Sequence, residues 1–394
     1  MRRTQLLQET RKMRFEEVYG QWQEGRLTQG EIAQILGVSE RTLRRHIDRY
    51  ESAGLDGLLD KRLTQISHKR APVDEVIGVV DLYKREYCGW NTQHFHSWYK
   101  RDHGGTRSYT WVKNRLQEAG AVVRTKARGK HRKKRERAPL PGMMVHQDAS
   151  THAWVPDVYW DLVVTMDDAT GEHLSMFFCD EEGTASSFHG IGQTIAHFGL
   201  FCSLYTDRGS HYFTTPEAGG KVDKTRPTQV GRALAQLGIT HIAAYSPEAR
   251  GRSERAFQTH QERLPKELAK AGIADLQAAN RYLEEVYMPR HNGEFAVPPA
   301  QEGSAFVVYI GGALPDILCE HHERVVGKDN CVSFEKMSLQ IPADDARHHY
   351  VKVKVRVHRY VDGTLALFHG PRRLAGYDAN GTLQLYPSEM KLAA

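Results

Sequence analysis

Three widely separated acidic residues constrain the fold of this chain more than any other feature. Asp148 and Asp207 each follow a short apolar run of strand length, and Glu254 lies one turn inside a segment with the pattern of a helix. Strand ends and helix starts are the places where an α/β domain brings distant side chains together. Carboxylates gathered in this way bind Mg²⁺, which takes phosphate oxygens as further ligands. The sequence therefore predicts a phosphoryl-transfer site formed by Asp148, Asp207 and Glu254.

Other acids compete for these three positions. Asp167 and Asp168 end the next predicted strand, but the residues around them have the composition of a hairpin turn. Glu248 is expected in the loop before the helix, and Glu262 lies two turns further along it. We favour Glu254 because it alone falls in a Pro/Gly/Glu frame.

The charge of the chain is unevenly distributed. Residues 1–137 contain 30 Lys and Arg against 17 Asp and Glu, whereas residues 138–394 contain 24 against 31. A basic N-terminal third is typical of a region that approaches a polyanion, and an acidic remainder suits metal binding.

Composition places the chain among ordinary soluble proteins. It is 40% hydrophobic and 26% charged, and it has no apolar run near the roughly 20 residues of a membrane helix. The N-terminus lacks the apolar region of a secretory signal. Five cysteines, odd in number and far apart, argue against a disulfide framework. We therefore expect a cytoplasmic protein, at the bacterial nucleoid, without a membrane partner.

The N-terminal region has the pattern of a helix-turn-helix. Thr28 and Glu31 form a capping box at the start of a short helix, Gly37 supplies the turn, and a basic helix follows over 39–50. The alternative is a solvated basic helix in a plain three-helix domain. The outward side chains predicted to contact DNA are Arg41, Thr42, Arg44, Arg45 and Arg49.

A second helical region repeats this order. A helix over 91–99, a turn at Gly104 and a helix over 108–116 predict another helix-turn-helix, with a packing domain or connector as the alternative. Its predicted DNA contacts are Arg107, Lys113 and Arg115.

Residues 124–137 form a basic run with nine Lys and Arg in 14 positions and no apolar periodicity after Val123. This pattern predicts an extended linker that neutralises phosphates, and a merely solvated linker is the alternative. The DNA contacts expected in it are Lys130, Arg132, Lys133, Lys134 and Arg135.

From residue 139 onward, strand-length and helix-length segments alternate. Three β-rich runs come first, and then a helix, a strand, a helix, a strand and a long helix: 143–148, 159–166, 173–178, 185–198, 200–206, 228–237, 240–244 and 250–270. This is the order of a ribonuclease-H-like fold.

Two motifs resemble those of bacterial insertion-sequence transposases with an integrase-type DDE core. The first is Asp207-x-Gly209 followed by Tyr212 and Phe213, and the second is Tyr245-x-Pro247-x-x-x-Gly251-x-x-Glu254. The resemblance covers about residues 15–300. One departure is the 46 residues between Asp207 and Glu254, more than is usual. The polar, Gly/Pro-rich segment over 215–227 is expected to hold the surplus.

The resemblance implies that Asp148, Asp207 and Glu254 bind two divalent ions, Mg²⁺ or Mn²⁺, in each active site. It also implies double-stranded DNA partners, namely the ends of the element and the target, and a homo-oligomer that is at least a dimer on paired ends. Three arginines near Glu254 are expected to meet DNA phosphates: Arg250, Arg252 and Arg255.

The C-terminal part is rich in strand-length apolar runs, over 306–310, 332–334, 339–341, 350–359 and 364–368. We expect a small antiparallel β-barrel, with Lys352, Lys354 and Arg356 along one strand face where they could follow a DNA backbone. Zinc at Cys319, His321, His322 and Cys331 is disfavoured because their spacing matches no tetrahedral pattern.

The expected architecture is therefore multidomain, with α, α/β and β parts in chain order. The predicted domains are 1–65, helix-turn-helix; 66–123, second helical domain; 124–138, basic linker; 139–300, ribonuclease-H-like core; and 301–394, β-rich domain. The leading function is a DNA transposase that binds terminal inverted repeats and cleaves and joins strands. The alternatives are a helix-turn-helix regulator with a non-catalytic α/β domain, and a metal-dependent nuclease of the same fold.

Overall fold

The computed structural model describes residues 3–59, 70–124, 135–216, 220–223, 225–245, 247–343 and 347–384, without the side chains of 3–6 and 247–250. The chain divides into two compact units, Met1–Arg85 and Glu86–Ala394. Within the described ranges, none of the helices is long and apolar enough to cross a membrane.

The first unit is helical. Its helices are α1 (Arg3–Gln23), α2 (Gln29–Leu36), α3 (Glu40–Ala53) and α4 (Val73–Glu86), whose last residue already belongs to the second unit. Phe15, Ile32, Leu43 and Ile47 form part of a buried core that joins the first three helices. These are the apolar positions that the helical periodicity requires.

The predicted turn between α2 and α3 is confirmed. Thr28 and Glu31 form a reciprocal capping box at the start of α2, and Gly37 ends that helix with a left-handed φ of 67°. Glycine adopts this conformation without the clash that a Cβ atom would cause. The Ser39 side chain then caps α3.

The second unit begins with two capped helices, α5 (Thr92–Asp102) and α6 (Tyr109–Glu118). Asn91 caps α5 and Ser108 caps α6. The basic run that follows lies largely outside the described residues, including the predicted DNA contacts Lys130, Arg132, Lys133 and Lys134.

A five-stranded sheet forms the centre of the second unit, in the order β3-β2-β1-β4-β5. The first three strands pair antiparallel, and β4 and β5 continue parallel to β1. This topology confirms the predicted integrase-like core. The strands are β1 (Val145–Val155), β2 (Val158–Asp167), β3 (His173–Cys179), β4 (Ser203–Thr206) and β5 (Thr240–Ala243).

Helices cover both faces of this sheet. Helix α7 buries Phe188 and Ile191 with Val145 of β1 on one face, and α9 buries Phe257 and Leu264 on the other. The helices are α7 (Thr184–Phe198), α8 (Gln229–Gln236), α9 (Pro247–Ala271), α10 (Leu276–Tyr282) and α11 (Met288–Phe295), with a π-helical turn (Leu283–Tyr287) between the last two.

Strand β1 is longer than predicted. The sequence placed its end at Asp148, whereas the strand continues to Val155 and pairs with β2 over that length. The additional segment contains three consecutive polar residues, Ser150, Thr151 and His152, and therefore lacks the continuous apolar run of a buried strand. Trp154, which is fully buried, anchors it.

The predicted C-terminal β-barrel is not confirmed. The described strands form an open sheet, ordered β12-β11-β10-β9-β6, and a separate β7-β8 hairpin. The strands are β6 (Glu320–Val325), β7 (Cys331–Phe334), β8 (Met337–Gln340), β9 (Lys354–Arg359), β10 (Leu365–His369), β11 (Arg372–Tyr377) and β12 (Leu383–Gln384). The run over 306–310 is not a strand and makes only one bridge, between Val307 and Leu200.

Candidate active site

Asp148 lies in β1, and Asp207 directly follows the last residue of the neighbouring strand β4. Strands β1 and β4 are parallel, and His146 is paired with Tyr205. Each acid is two residues beyond this pair, so the two acids are at the same level. Alternate residues of a strand share a face, so both acids lie on the face that carries His146 and Tyr205, whose ring centroids are 5.0 Å apart.

The loop after β4 orients Asp207. Its Oδ1 atom accepts a hydrogen bond of 2.8 Å from the backbone N–H of Gly209. A Cβ atom at position 209 would lie only 3.1 Å from that same oxygen. In the Asp-x-Gly motif, the glycine therefore donates its N–H to the carboxylate and, because it has no Cβ atom, leaves space for that carboxylate.

The buried Tyr212 phenol is influenced by both acids. Its pKa is raised well above 10.0, mainly by burial, and the negative charges of Glu182, Asp148 and Asp207 add to the effect in that order. The Tyr212 hydroxyl donates to Gln147 Oε1 at 3.0 Å, and the Gln147 amide donates to Thr165 at 3.1 Å. This network fixes β1 against the loop that carries Asp207.

Glu254 lies on the helix that covers this face. Ser253 of α9 lines the same small cavity as Asp148 and His146. Gln261, two turns after Glu254 on the same stripe of α9, donates to Ser150 of β1 at 2.9 Å. Glu254 precedes Gln261 by seven residues, which is roughly 10 Å along a helix, and Asp148 precedes Ser150 by two residues, which is roughly 7 Å along a strand. Counted back from the contact between Gln261 and Ser150, Glu254 therefore lies near the level of Asp148.

The competing acids have other contacts. Asp167 is buried and accepts hydrogen bonds from Gly142 and Thr170, the turn role predicted for it. Glu262 accepts from Asn91 at 3.0 Å, next to α5. The side chain of Glu248 lies outside the described residues. None of these observations moves the candidate site away from the three predicted acids.

Asp168 holds a polar cluster that the sequence did not predict. It is fully buried and contacts His146 at 2.7 Å, Arg135 at 2.5 Å and the guanidinium of Arg252. Burial alone would raise the pKa of Asp168, but hydrogen bonds from His146, Ala138 N–H and Arg252 outweigh it and hold the pKa well below 3.8. The cluster ties the end of β2 to the first turns of α9.

The two predicted DNA contacts in this cluster therefore have intramolecular partners. Arg252 binds Asp168 and also donates to the backbone oxygen of Arg135 at 2.7 Å. Arg255 is exposed, whereas the side chain of Arg250 lies outside the described residues.

The outward face of α3 is as predicted. Leu43 and Ile47 are buried, and the basic side chains predicted for DNA contact are exposed. Arg44 lies 3.2 Å from Glu40, and Thr42 contributes to the N-terminal cap with Ser39. The exposed basic residues are Arg41, Arg44, Arg45 and Arg49.

Helix α5 packs against α9. His94 and Glu267 of α9 form a buried contact of 2.7 Å, and Lys266 donates to the backbone oxygen of Gly89. Arg107 lies over the Trp111 ring, and Arg115 pairs with Glu118 at 2.8 Å. These contacts favour the alternative in which this region is a packing domain or connector. Lys113 of α6 is half-exposed.

The C-terminal cysteines and histidines do not converge as a set of four. His322 contacts Glu320, and the Cys331 thiol donates to Gln340. Cys319 and His321 instead approach His358 of β9. Strand β9 begins only at Lys354, with Lys352 before it at a positive φ, so the expected basic face is shorter than predicted.

Three residues around the candidate site were not predicted from the sequence: His146, Gln147 and Asp168. Gln147 lies directly beside Asp148, and its alternation with Val145 could have indicated a buried amide. The sequence around Asp168 indicated only a turn. Its partners His146 and Arg252 are 22 and 84 residues away in the chain, so sequence patterns do not connect them.

Comparison with known proteins gives a consistent result. A family model described as a helix-turn-helix domain matches residues 17–64. A Sinorhizobium fredii protein that carries the name of a transposase is 28% identical over 346 residues, which is 87% of this chain and 75% of that protein. The transposase for insertion sequence IS1202 of Streptococcus pneumoniae is 30% identical over 239 residues, 59% of this chain and 50% of the relative.

Similar solved structures come from retroviral integration. The simian T-cell lymphotropic virus intasome, in complex with a PP2A regulatory subunit, has 15% sequence identity to this chain and a TM-score of 0.33. The match covers 78% of this chain and 99% of the chain in that structure. The HTLV-2 integrase catalytic core domain in complex with magnesium has 18% identity and a TM-score of 0.28, over 36% of this chain and 81% of its own. TM-scores this low carry no further conclusion. The chain is therefore similar in sequence to two bacterial transposases, and the strand order of its central sheet agrees with the predicted integrase-like core.

Proposed function

We propose that the chain is the transposase of an insertion sequence, and that its core cleaves and joins DNA strands with Asp148, Asp207 and Glu254. The observation that carries this proposal is that Asp148 in β1 and Asp207 directly after β4 each lie two residues beyond the pair His146 and Tyr205, on the side of the sheet covered by the helix that bears Glu254. A helix-turn-helix regulator would not require this arrangement of acids.

The donor set suits Mg²⁺ or Mn²⁺. Three carboxylates provide hard oxygen ligands, and phosphate oxygens and water would complete the coordination beyond the C-terminal end of β4. Two such ions, when bound, would activate the attacking oxygen and stabilise the leaving oxygen. The protein itself would hold Asp207 through Gly209, hold β1 through Gln147, and fix α9 through Asp168.

DNA binding would be divided among several regions. The exposed arginines of α3 would read the major groove, as recognition helices do. Arg255 and the basic run would contact phosphates. Because two ends of an element must be joined to one target, at least two copies of the chain would act together.

The proposal is tested with purified protein and DNA fragments that carry the ends of the element, with and without Mg²⁺. The expected products are cleaved ends and, with a target plasmid present, joined molecules that appear only with the divalent ion. A protein that binds the ends but forms neither product would support the regulator, and cleavage without joining would support the nuclease.

A further inference from the structure

Three histidines from separate elements meet inside the catalytic unit. His173 begins β3, His260 lies in the middle of α9, and His291 lies on α11. All three are buried, with exposed fractions of 1%, 0% and 6%. One ring nitrogen from each lies within 4.8 Å of the other two.

Their nitrogens are incompletely satisfied by the protein. The Nε2 atoms of His173 and His260 are 2.9 Å apart, and His260 Nδ1 lies 3.0 Å from the Tyr287 hydroxyl. The Nδ1 atoms of His173 and His291 have no hydrogen-bond partner among the described residues. The Gly171 carbonyl interacts with His173 and the Asn292 side chain with His291, but neither makes a hydrogen bond of normal geometry to these Nδ1 atoms. Buried polar nitrogens without partners call for an explanation, such as an ion.

The frame around the rings is rigid. The Asn292 side chain accepts from the backbone N–H of His173 at 2.8 Å and donates to its carbonyl at 2.9 Å. This amide holds the start of β3 against α11, in the way that a neighbouring strand would. The ring planes of His173 and His260 are inclined by 73°, and those of His260 and His291 by 48°. Rings inclined in this way can direct nitrogens to one point, whereas parallel stacked rings cannot.

We propose that His173, His260 and His291 bind one zinc ion that fastens β3, α9 and α11 together. Imidazole nitrogen suits zinc and is a poor ligand for Mg²⁺, so this site would not compete for the ion of the acidic site. Zinc with nitrogens at about 2.0 Å places them roughly 3.3 Å from one another, so small ring rotations would widen the closest pair and shorten the longest. A water molecule would complete the tetrahedron.

The surroundings supply the outer contacts of such a site. The Tyr287 hydroxyl can accept from His260 Nδ1, which leaves Nε2 for the ion and fixes the tautomer. Burial lowers the pKa of all three rings, that of His173 to about 4, so the neutral form that binds metal dominates at pH 7. Arg263, the nearby cation, is paired with Glu294 through two contacts of 2.7 and 2.9 Å.

The second cluster, Cys319 with His321 and His358, is the weaker candidate. Its two imidazole rings are stacked at 4.0 Å and inclined by only 13°. The Cys319 thiol donates to the Asp316 carbonyl, and burial raises its pKa to about 12. A thiol held in its neutral form is a poor ligand.

The test is the metal content of the purified full-length chain after incubation with zinc and gel filtration. We expect about one zinc ion per chain for the wild type and for Asp148→Asn, and less than about a tenth of that for His260→Gln and His291→Gln. His94→Gln is the matched control, since it removes a buried histidine outside the cluster and should retain zinc.

A second measurement does not depend on the folding of variants. Wild-type protein loaded with Co²⁺ should show the visible absorption of a tetrahedral site without the near-ultraviolet band of a thiolate ligand. No bound metal in the wild type, or a thiolate band that indicates Cys319, would overturn the proposal. Unchanged zinc in both histidine variants would do so as well. Because these readouts do not involve DNA, they are independent of the proposed transposase activity.

Discussion

At the scale of single residues, the candidate site depends on side chains that position others. Gln147 and Gly209 orient the strands and loop that carry Asp148 and Asp207. Asp168 connects His146, Arg135 and Arg252, and so ties α9 to the sheet beside the acids. Removal of one partner from such a buried cluster leaves uncompensated charges.

Asp168→Asn should therefore destabilise the second unit by about 3 kcal/mol, since the guanidinium of Arg252 would lose its buried carboxylate. The measurement is the shift of the denaturant midpoint at pH 7, with the exposed Asp180→Asn as the control for charge removal. Equal midpoints for the two variants would show that the cluster contributes nothing to stability.

The depressed pKa of Asp168 also predicts a pH dependence. The folded carboxyl has a pKa below the unfolded value of 3.8, so its contribution to stability is present above pH 3.8 and is lost as the pH falls towards the folded pKa. Wild-type protein should lose stability more steeply below pH 3.8 than Asp168→Asn does. Parallel acid-unfolding curves would contradict this origin of the acid sensitivity.

At the scale of elements, the sequence predicted most helices and strands of the core because their apolar patterns are regular. Helix α7 and strand β5 were placed within a residue or two of their observed bounds. The second half of β1 was missed because three consecutive polar residues, Ser150, Thr151 and His152, interrupt its apolar run. The histidine cluster could not be predicted, since His173, His260 and His291 are far apart and only the packing of three elements joins them.

The recognition helix α3 gives a prediction at this scale. Alanine at Arg41 or Arg45, which are exposed, should cost about 1–3 kcal/mol on the specific DNA site and less on random DNA, because the substitution removes hydrogen bonds to bases. Binding titrations on both DNAs measure this difference. Arg14→Ala on α1 is the charge-matched control, and equal reductions on both DNAs would mean that α3 touches only the backbone.

At the scale of the whole molecule, the chain has a basic N-terminal third and an acidic remainder, and the proposed function assigns DNA binding mainly to the first and chemistry to the second. The helix-turn-helix lies in the first unit and the three acids in the second. Contacts of α9 with α5 and with Gly89 before it attach part of the second helical region to the domain of the five-stranded sheet. Affinity and catalysis should therefore be separable by mutation.

The basic linker tests the affinity side of this division. Glutamine at Lys130, Arg132, Lys133 and Lys134 should weaken binding to specific and random DNA alike. The slope of log K against log salt should fall by about 1 for each lysine or arginine that no longer neutralises a phosphate. Arg135 is left unchanged because it binds Asp168. A salt slope equal to that of the wild type would show that the run is merely solvated.

The most direct test of the account is strand cleavage and joining by Asp148→Asn, Asp207→Asn and Glu254→Gln, measured beside DNA affinity. Each variant should lose both reactions and bind element ends almost as well as the wild type, because the acids hold the ions while basic residues supply the affinity. Glu262→Gln, on the same helix but in contact with Asn91, should remain active. Joining by any of the three variants would remove that acid from the site, and joining by Glu254→Gln together with a failure of Glu262→Gln to join would mean that Glu254 is the wrong residue for the third carboxylate.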